Sequence, residues 1–256
     1  MRSEAISSDF VRLTTTGRTG QILLDRPAAL NALDLGMIRA VRRGLDGFAA
    51  RPQVHAIAIS GAGGRAFCAG GDIRAIRADA MAGDMAAVRD FFAEEYGLNA
   101  AIAACPVPYV ALIDGICMGG GIGLSVHGAI RVATEAATFA MPETAIGFFP
   151  DIGASFFLPR LPGALGFYLG LTGTRVVGAD AVHVGLATHF VPRAGLAALA
   201  ADLARDGVAA VATHAAAPSA TSAARSAGRR SRGTKCVARP ACTAFAPAMR
   251  SPVRPR

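Results

Sequence analysis

Lysine is missing from residues 1–212, and the chain's single lysine is Lys235. A Walker A loop ends in Lys followed by Ser or Thr, so no glycine-rich stretch in this body is a nucleotide-binding P-loop. No apolar run approaches the roughly 20 residues that span a bilayer. The opening stretch, "MRSEAISSDFVRL", carries acids and lacks an apolar h-region, which argues against a secretory signal. Cys68, Cys105, Cys117, Cys236 and Cys242 form no CxxC pair and no metal-ligand spacing. They read as reduced thiols, with Cys117 a small buried residue. A cytoplasmic protein with no metal and no membrane partner is expected.

Acids are missing after residue 212. Residues 1–212 hold 17 arginines against 18 acids, whereas residues 213–256 hold eight arginines and Lys235 with no acid. The net charge of +8 therefore belongs to a tail and not to the body. No aromatic-interleaved basic patch or zinc-finger spacing accompanies it, so nucleic acid is not an expected partner. The tail is rich in Ala, Arg, Ser and Pro and has no helical or strand period, which makes disorder its default. The expected division is a folded body over 1–212 and a basic tail over 213–256.

With 52% hydrophobic residues, the chain can bury a sizeable core. "FVRLTTTGRTGQILLD" reads as two strands around a turn. In "AALNALDLGMIRAVRRGLDGFAA", Met37, Val41, Leu45 and Phe48 recur at helical spacing. "VHAIAIS" and "YVALIDG" read as buried strands. "GAGGRAFCAGGDI" reads as a glycine-rich loop, and "AAVRDFFAEEYGLNAAIAAC" as a helix stopping before Pro106. "MGGGIGLSVHGAI" is a glycine turn entering a short helix. "RVATE" and "TFAM" are short strands, and the stretch after Pro150 is mostly helical up to the strand "THFV" and the helix "GLAALAADLAR". This alternation predicts an α/β fold.

Two features carry chemistry. The first is "FAMPETAIGFFPDIGASFFLPRLPG", residues 139–163, with Glu143 and Asp151 in apolar company and Arg160 the nearby cation in sequence. Two readings are open: each acid caps a helix, or apolar walls raise its affinity for protons in a site that excludes water. On the residues alone, capping is the simpler. The second feature is the pair of glycine turns "CAGGD" and "MGGGIG". A dinucleotide fingerprint started at Gly119 or Gly121 meets Leu124 or Val126 where its third glycine belongs. "GLSVHG" lacks the spacing of a nucleophile elbow, and Ser125 has no Asp/His partners at family spacing. What remains is close packing of turn on strand, or two bare N–H groups converging on one oxygen as an oxyanion hole. His127 and His183 lie on apolar stretches and read as packing residues.

"AFCAGGDI", "ALIDGICMGGGIGLSVHG" and "RVATEAATFAMPETAIGFFPDIGASFFLPRL" resemble the crotonase superfamily, also called enoyl-CoA hydratase/isomerase. "LDRPAALNAL" and "YLGLTGTRVVGADAVHVGLATHFV" extend the likeness to roughly residues 10–205. The resemblance implies stacked ββα units with a mostly helical C-terminal part. It implies an acyl-CoA ester as substrate, with coenzyme A part of that substrate and no separate cofactor. The oxyanion-hole amides would be those of Gly71 and Gly120. Glu143 would be the principal catalytic carboxylate and Asp151 its partner. Asp72 would fix the first loop, and Arg74 and, more weakly, Arg26 would face coenzyme A, with Ala69 and Gly119 beside the substrate. A homo-oligomer is left open.

Hydratases of this family use two glutamates; one matches Glu143, and the other's place is taken by Gly123. The family's hydrolase pattern keeps the "PET" glutamate and adds the acid of "PD[IV]G", here Asp151. The likeness is strongest to the branch that hydrolyses 3-hydroxyisobutyryl-CoA to 3-hydroxyisobutyrate and CoA in valine breakdown. An enoyl-CoA hydratase/isomerase, an inactive truncated product and a basic-tailed binding module are the alternatives. Similar hydrolases continue well beyond the matching body. Residues from about 213 onward are therefore expected to be a non-native C-terminus, of the kind a shifted reading frame of GC-rich DNA encodes.

Overall fold

Short apolar strands that cannot bury two faces alone set the architecture. The computed structural model describes residues 10–217. The tail expectations from residue 218 onward, with Cys236 and Cys242, lie outside the described residues. The hairpin β1 (Val11–Thr16) and β2 (Thr19–Leu24) leads into α1 (Leu35–Ala49). Three strand pairs follow: β3 (Ala56–Gly61) with β4 (Ala66–Cys68), then, after α2 (Ile73–Met81) and α3 (Met85–Ala103), β5 (Tyr109–Ile113) with β6 (Ile116–Met118). After α4 (Gly120–Val126) come β7 (Ile130–Ala133) and β8 (Thr138–Ala140). The C-terminal part is α5 (Ala154–Phe157), α6 (Leu165–Thr172), β9 (Val176–Val177), α7 (Asp180–His183), β10 (His189–Phe190), α8 (Leu196–Asp206) and α9 (Ala209–His214).

The first strand of each pair joins a six-stranded sheet of order β1-β2-β3-β5-β7-β10, and the second joins a four-stranded sheet of order β4-β6-β8-β9. β3 pairs in parallel with β5 and β5 with β7, while β4 pairs in parallel with β6 and β6 with β8. This is the expected stack of ββα units. Every residue of β5, "YVALI", is buried, the pattern of a strand covered on both faces. Helix α1 buries Met37, Val41, Leu45 and Phe48 as the periodicity predicts, each worth about 1.5–3 kcal/mol relative to exposure.

Three local differences from the sequence reading have physical reasons. Helix α1 begins at Leu35 and not near Ala28, because the Asp34 side chain accepts the Met37 N–H at 2.8 Å and caps it there. The glycine-rich "GAGGRAFCAGGDI" contains β4, three residues whose ladder partner β6 is distant in sequence. Helix α2 is a further element; Asp72 caps it through the Ala75 N–H, and none of its residues is fully buried, though Ile76 packs against the core. Helix α9 runs across position 212, and the Ala216 N–H bonds the Phe190 carbonyl at 2.9 Å.

Asn31 anchors the loop that leads to the site. It is fully buried with φ 56°. Its Oδ1 accepts the Arg26 N–H at 2.9 Å, and its Nδ2 donates to the carbonyls of Ala62 (3.1 Å) and Ala66 (2.9 Å). Asn tolerates the left-handed region better than Ala. Asn31→Ala should cost roughly 3 kcal/mol, from orphaned backbone groups and strain, measured by urea unfolding. A loss within about 0.5 kcal/mol, the range of ordinary surface changes, would contradict this anchoring.

Candidate active site

Strands β4 and β6 end side by side, and each runs straight into a glycine turn. Gly70 has φ 106° and Gly119 φ 49°, both in the region that L side chains rarely adopt. The two turns touch: a β-carbon on Gly120 would lie 3.3 Å from the Gly71 nitrogen. Neither the Gly71 nor the Gly120 N–H donates to a backbone carbonyl. Gly120 also opens α4, so its free amide comes with the partial positive charge of a helix start.

Beside these amides is a chamber of about 270 Å³. Ala69, Gly71, Gly119, Gly120, Glu143 and Asp151, all read from the sequence, line it together. Its other walls are largely apolar, including Ile73, Phe91, Phe92, Pro142 and Phe148, and among the described residues no Arg, Lys or His lines it. An adjoining groove of about 720 Å³ shares Ala69, Gly71 and Ile73 with the chamber and is bordered by Arg26, Asp72 and Arg74. Arg26 bonds Asp72 at 2.9 Å and the Ala32 carbonyl at 3.1 Å, so its guanidinium braces the loop. Partial burial acts to raise the Asp72 pKa, but the Ala75 amide and the Arg26 guanidinium hold it below the usual range. Arg74 is exposed on the first turn of α2.

The capping reading of the two acids does not hold. The turn starting at Glu143 has Pro142 at its N-cap, α5 has Gly153, and neither has a side-chain cap. Glu143 is 7% exposed, and its Oε2 has no hydrogen-bond partner. Burial, with the nearby Asp151 charge adding, pushes its pKa up to about 7. Burial also raises Asp151, opposed by a hydrogen bond from Tyr96.

Sequence reasoning missed a third carboxylate. Glu95, on α3, is 4% exposed; its Oε1 has no partner and lies where a β-carbon on Gly120 would have to go. Burial first, then the charges of Asp151 and Glu143, push its pKa up to about 8. A signal was available: Glu95 falls in register with the buried Phe91, Leu98, Asn99 and Ile102, an acid inside the helix's own apolar stripe.

Position 123 is closed. A β-carbon on Gly123 would lie 2.8 Å from Asn99 Oδ1 and 3.0 Å from Ile152 Cβ, so no larger side chain enters without displacing a buried neighbour. His127 does more than pack: its Nε2 bonds the Ile152 carbonyl at 2.8 Å. Ser125 is buried and bonds the Ile122 carbonyl at 3.1 Å, which leaves it no role as a nucleophile. Cys68 and Cys117 are buried free thiols, and burial raises the Cys68 pKa to about 12. Among the described residues, no helix is long and apolar enough to cross a membrane.

Acids with raised folded-state pKa values stabilise the fold when protonated. That contribution is complete below about pH 4.5 and is lost as pH rises through about 7 for Glu143 and about 8 for Glu95. Asp72, Glu94 and Asp202 are shifted the other way and stay ionised across this window. The Tm should therefore fall between those limits, and Glu95→Gln should flatten the fall. A wild-type Tm that is constant or rising across the window, followed by thermal unfolding, would count against the buried acid cluster.

Residues 19–249 match the model of the enoyl-CoA hydratase/isomerase family. The chain is 55% identical over 203 residues to the mitochondrial 3-hydroxyisobutyryl-CoA hydrolase of Xenopus laevis, a match covering 79% of this chain and 52% of that protein. The mitochondrial 3-hydroxyisobutyryl-CoA hydrolase of Homo sapiens is 53% identical over 203 residues, with the same coverage of 79% and 52%. The chain thus spans about half the length of the curated relatives it matches. Among solved structures, a carnitinyl-CoA dehydratase from Mycobacterium thermoresistibile aligns with TM-score 0.80 at 42% identity, over 86% of this chain and 65% of the other. An enoyl-CoA hydratase from Rhodobacter sphaeroides aligns with TM-score 0.78 at 40% identity, over 88% and 67%.

Proposed function

We propose that this chain, which belongs to the enoyl-CoA hydratase/isomerase family, hydrolyses an acyl-CoA thioester, foremost 3-hydroxyisobutyryl-CoA, to the free acid and coenzyme A in valine breakdown. The observation that carries the reading is the chamber itself: two unpaired amides beside buried carboxylates, with position 123 closed. The names of the relatives, 3-hydroxyisobutyryl-CoA hydrolase, support it.

On this reading the thioester carbonyl oxygen accepts the N–H groups of Gly71 and Gly120. Negative charge grows on that oxygen as the carbon becomes tetrahedral, and two fixed donors stabilise it most at that point. Glu143 supplies the attacking oxygen, its own or that of a water it deprotonates. Asp151 accepts a hydrogen bond from the 3-hydroxyl or from the water. The carbon–sulfur bond then breaks and coenzyme A leaves as the thiol. Where Glu143 deprotonated the water, it returns that proton to the thiolate. Where Glu143 itself attacked, a water then cleaves the glutamyl–acyl anhydride, freeing the acid, restoring the Glu143 carboxylate and supplying the thiolate's proton. The nucleotide end of coenzyme A lies in the groove beside Arg74 and Arg26. Carboxylates and amides supply every step, so no separate cofactor, nucleic acid or membrane enters. The protein is placed in the cytoplasm on this proposal, whereas the curated relatives are named as mitochondrial; assembly as a homo-oligomer is compatible with the site.

A hydratase needs a second carboxylate on the helix after the glycine triplet, and Gly123 with Asn99 and Ile152 around it leaves that place filled. Crotonyl-CoA should therefore lose its enoyl absorbance far more slowly than 3-hydroxyisobutyryl-CoA releases thiol. Comparable rates would favour the hydratase. Glu143→Gln should lower thioester hydrolysis by about two or more orders of magnitude while the protein stays folded. Unchanged turnover in a folded Glu143→Gln protein would remove Glu143 from the reaction.

A further inference from the structure

Asp151 is aimed by two devices, and one of them has no assigned role. The first is backbone. Ile152 has φ 44° and Gly153 φ 81°, two successive residues in the left-handed region. For a β-branched residue this conformation is a genuine outlier and persists only where its surroundings over-determine it. Here they do. The Ile152 side chain is 2% exposed and lies against Gly123, and His127 Nε2 bonds the Ile152 carbonyl at 2.8 Å. This fixes the chain next to Asp151 but leaves the Asp151 side-chain torsions free.

The second device is Tyr96. Its hydroxyl donates to Asp151 Oδ2 at 2.8 Å, the side-chain hydrogen bond that Asp151 makes. The tyrosine ring is itself held: it lies 6.0 Å from the Phe92 ring, which stacks on Phe148 at 5.7 Å. Although Tyr96 is 39% exposed, these neighbours and the hydrogen bond hold the phenol at Asp151, and partial burial and the Asp151 charge push its own ionisation further up. From this geometry we infer that Tyr96 is a positioning residue that holds Asp151 as an oriented, ionised acceptor, with one oxygen committed to the phenol and the other left for the substrate hydroxyl or water.

Electrostatics explains why such a residue is needed. Asp151 faces Glu95 and Tyr96 from α3, Glu143 from the turn after β8, and, behind the Ile152 carbonyl, His127 at the end of α4. Among the described residues, no cation lines the chamber. Three carboxylates so placed cannot all ionise cheaply, and protons go where the charged form is least supported. A hydrogen bond donated to a carboxylate supports its charged form. Tyr96 therefore directs the proton to Glu95 and away from Asp151. The chemical consequence, an acceptor for the acyl hydroxyl, rests on the proposed hydrolase reading; the titration order does not.

The test uses the full chain with carbon-13-labelled aspartate carboxyls. The Asp151 resonance is assigned by its loss in Asp151→Asn, and its titration is compared in wild type and Tyr96→Phe, a change that keeps the ring. The Asp151 pKa should rise by about one unit in Tyr96→Phe. An unmoved Asp151 titration in folded Tyr96→Phe overturns the assignment. A raised Asp151 pKa in a protein that does not cleave the thioester upholds the Tyr96 assignment and sinks the hydrolase reading instead.

Discussion

Glu95, Glu143 and Asp151 meet in a largely apolar chamber with no cation among the described residues, and the cost of ionising all three shapes the surrounding structure. In a largely apolar pocket, like charges repel more strongly than in bulk water. The cluster must therefore hold protons near neutral pH, in line with the values of about 8 for Glu95 and about 7 for Glu143. The glycine turns and the acids depend on each other. Glu143 Oε1 lies 2.9 Å from where a β-carbon on Gly119 would be, and Glu95 Oε1 takes the corresponding place at Gly120. Glycine at 119 and 120 thus does two things at once: it bares the Gly120 amide and seats the carboxyl groups against the turn.

The same economy of space governs the back of the site. Gly123 lets α4 approach α3 closely enough for Asn99 and Ile152 to fill the gap. That packing holds Ile152 in a conformation it would otherwise leave, at a cost of order 1–3 kcal/mol. Gly153 follows with its own positive φ, and a β-carbon there would meet the His127 ring at 2.8 Å. One closed position therefore excludes a second glutamate on α4 and also stiffens the loop that carries Asp151.

Legibility in the sequence followed the range of the interactions involved. The long elements were readable because their patterns are local: "YVALI" is apolar throughout, and Met37, Val41, Leu45 and Phe48 fall on one helix face. The stacked units and the site residues came from motif likeness, which reports a whole arrangement at once. β4, β6 and β9 are two or three residues long and owe their pairing to strands far away in sequence, so no local period marks them. Glu143 and Asp151 were visible because their neighbours are apolar in sequence. Glu95 was passed over because "AEEYG" looks like the wet face of a helix, although the register of Phe91, Leu98 and Ile102 sets it in the apolar stripe. Tyr96 and His127 act through Asp151 and the Ile152 carbonyl, and neither contact can be read from spacing.

On the proposed reading the substrate is itself polyanionic, since coenzyme A carries phosphates, and the site must admit it past buried acids. The division of charge along the two cavities resolves the conflict. The groove carries Arg74 and an Arg26 whose charge is balanced by Asp72, so its net effect on an entering phosphate is attractive and comes from the unpaired exposed arginine. The chamber, in contrast, receives only the acyl end, which is uncharged in the ester. A protonated Glu95 lowers the negative charge that meets what arrives. The carboxylate product is different: it is an anion formed beside Asp151 in a pocket with no cation among the described residues. Repulsion is then largest after the carbon–sulfur bond has broken, so the arrangement that tolerates the thioester also favours release of the acid.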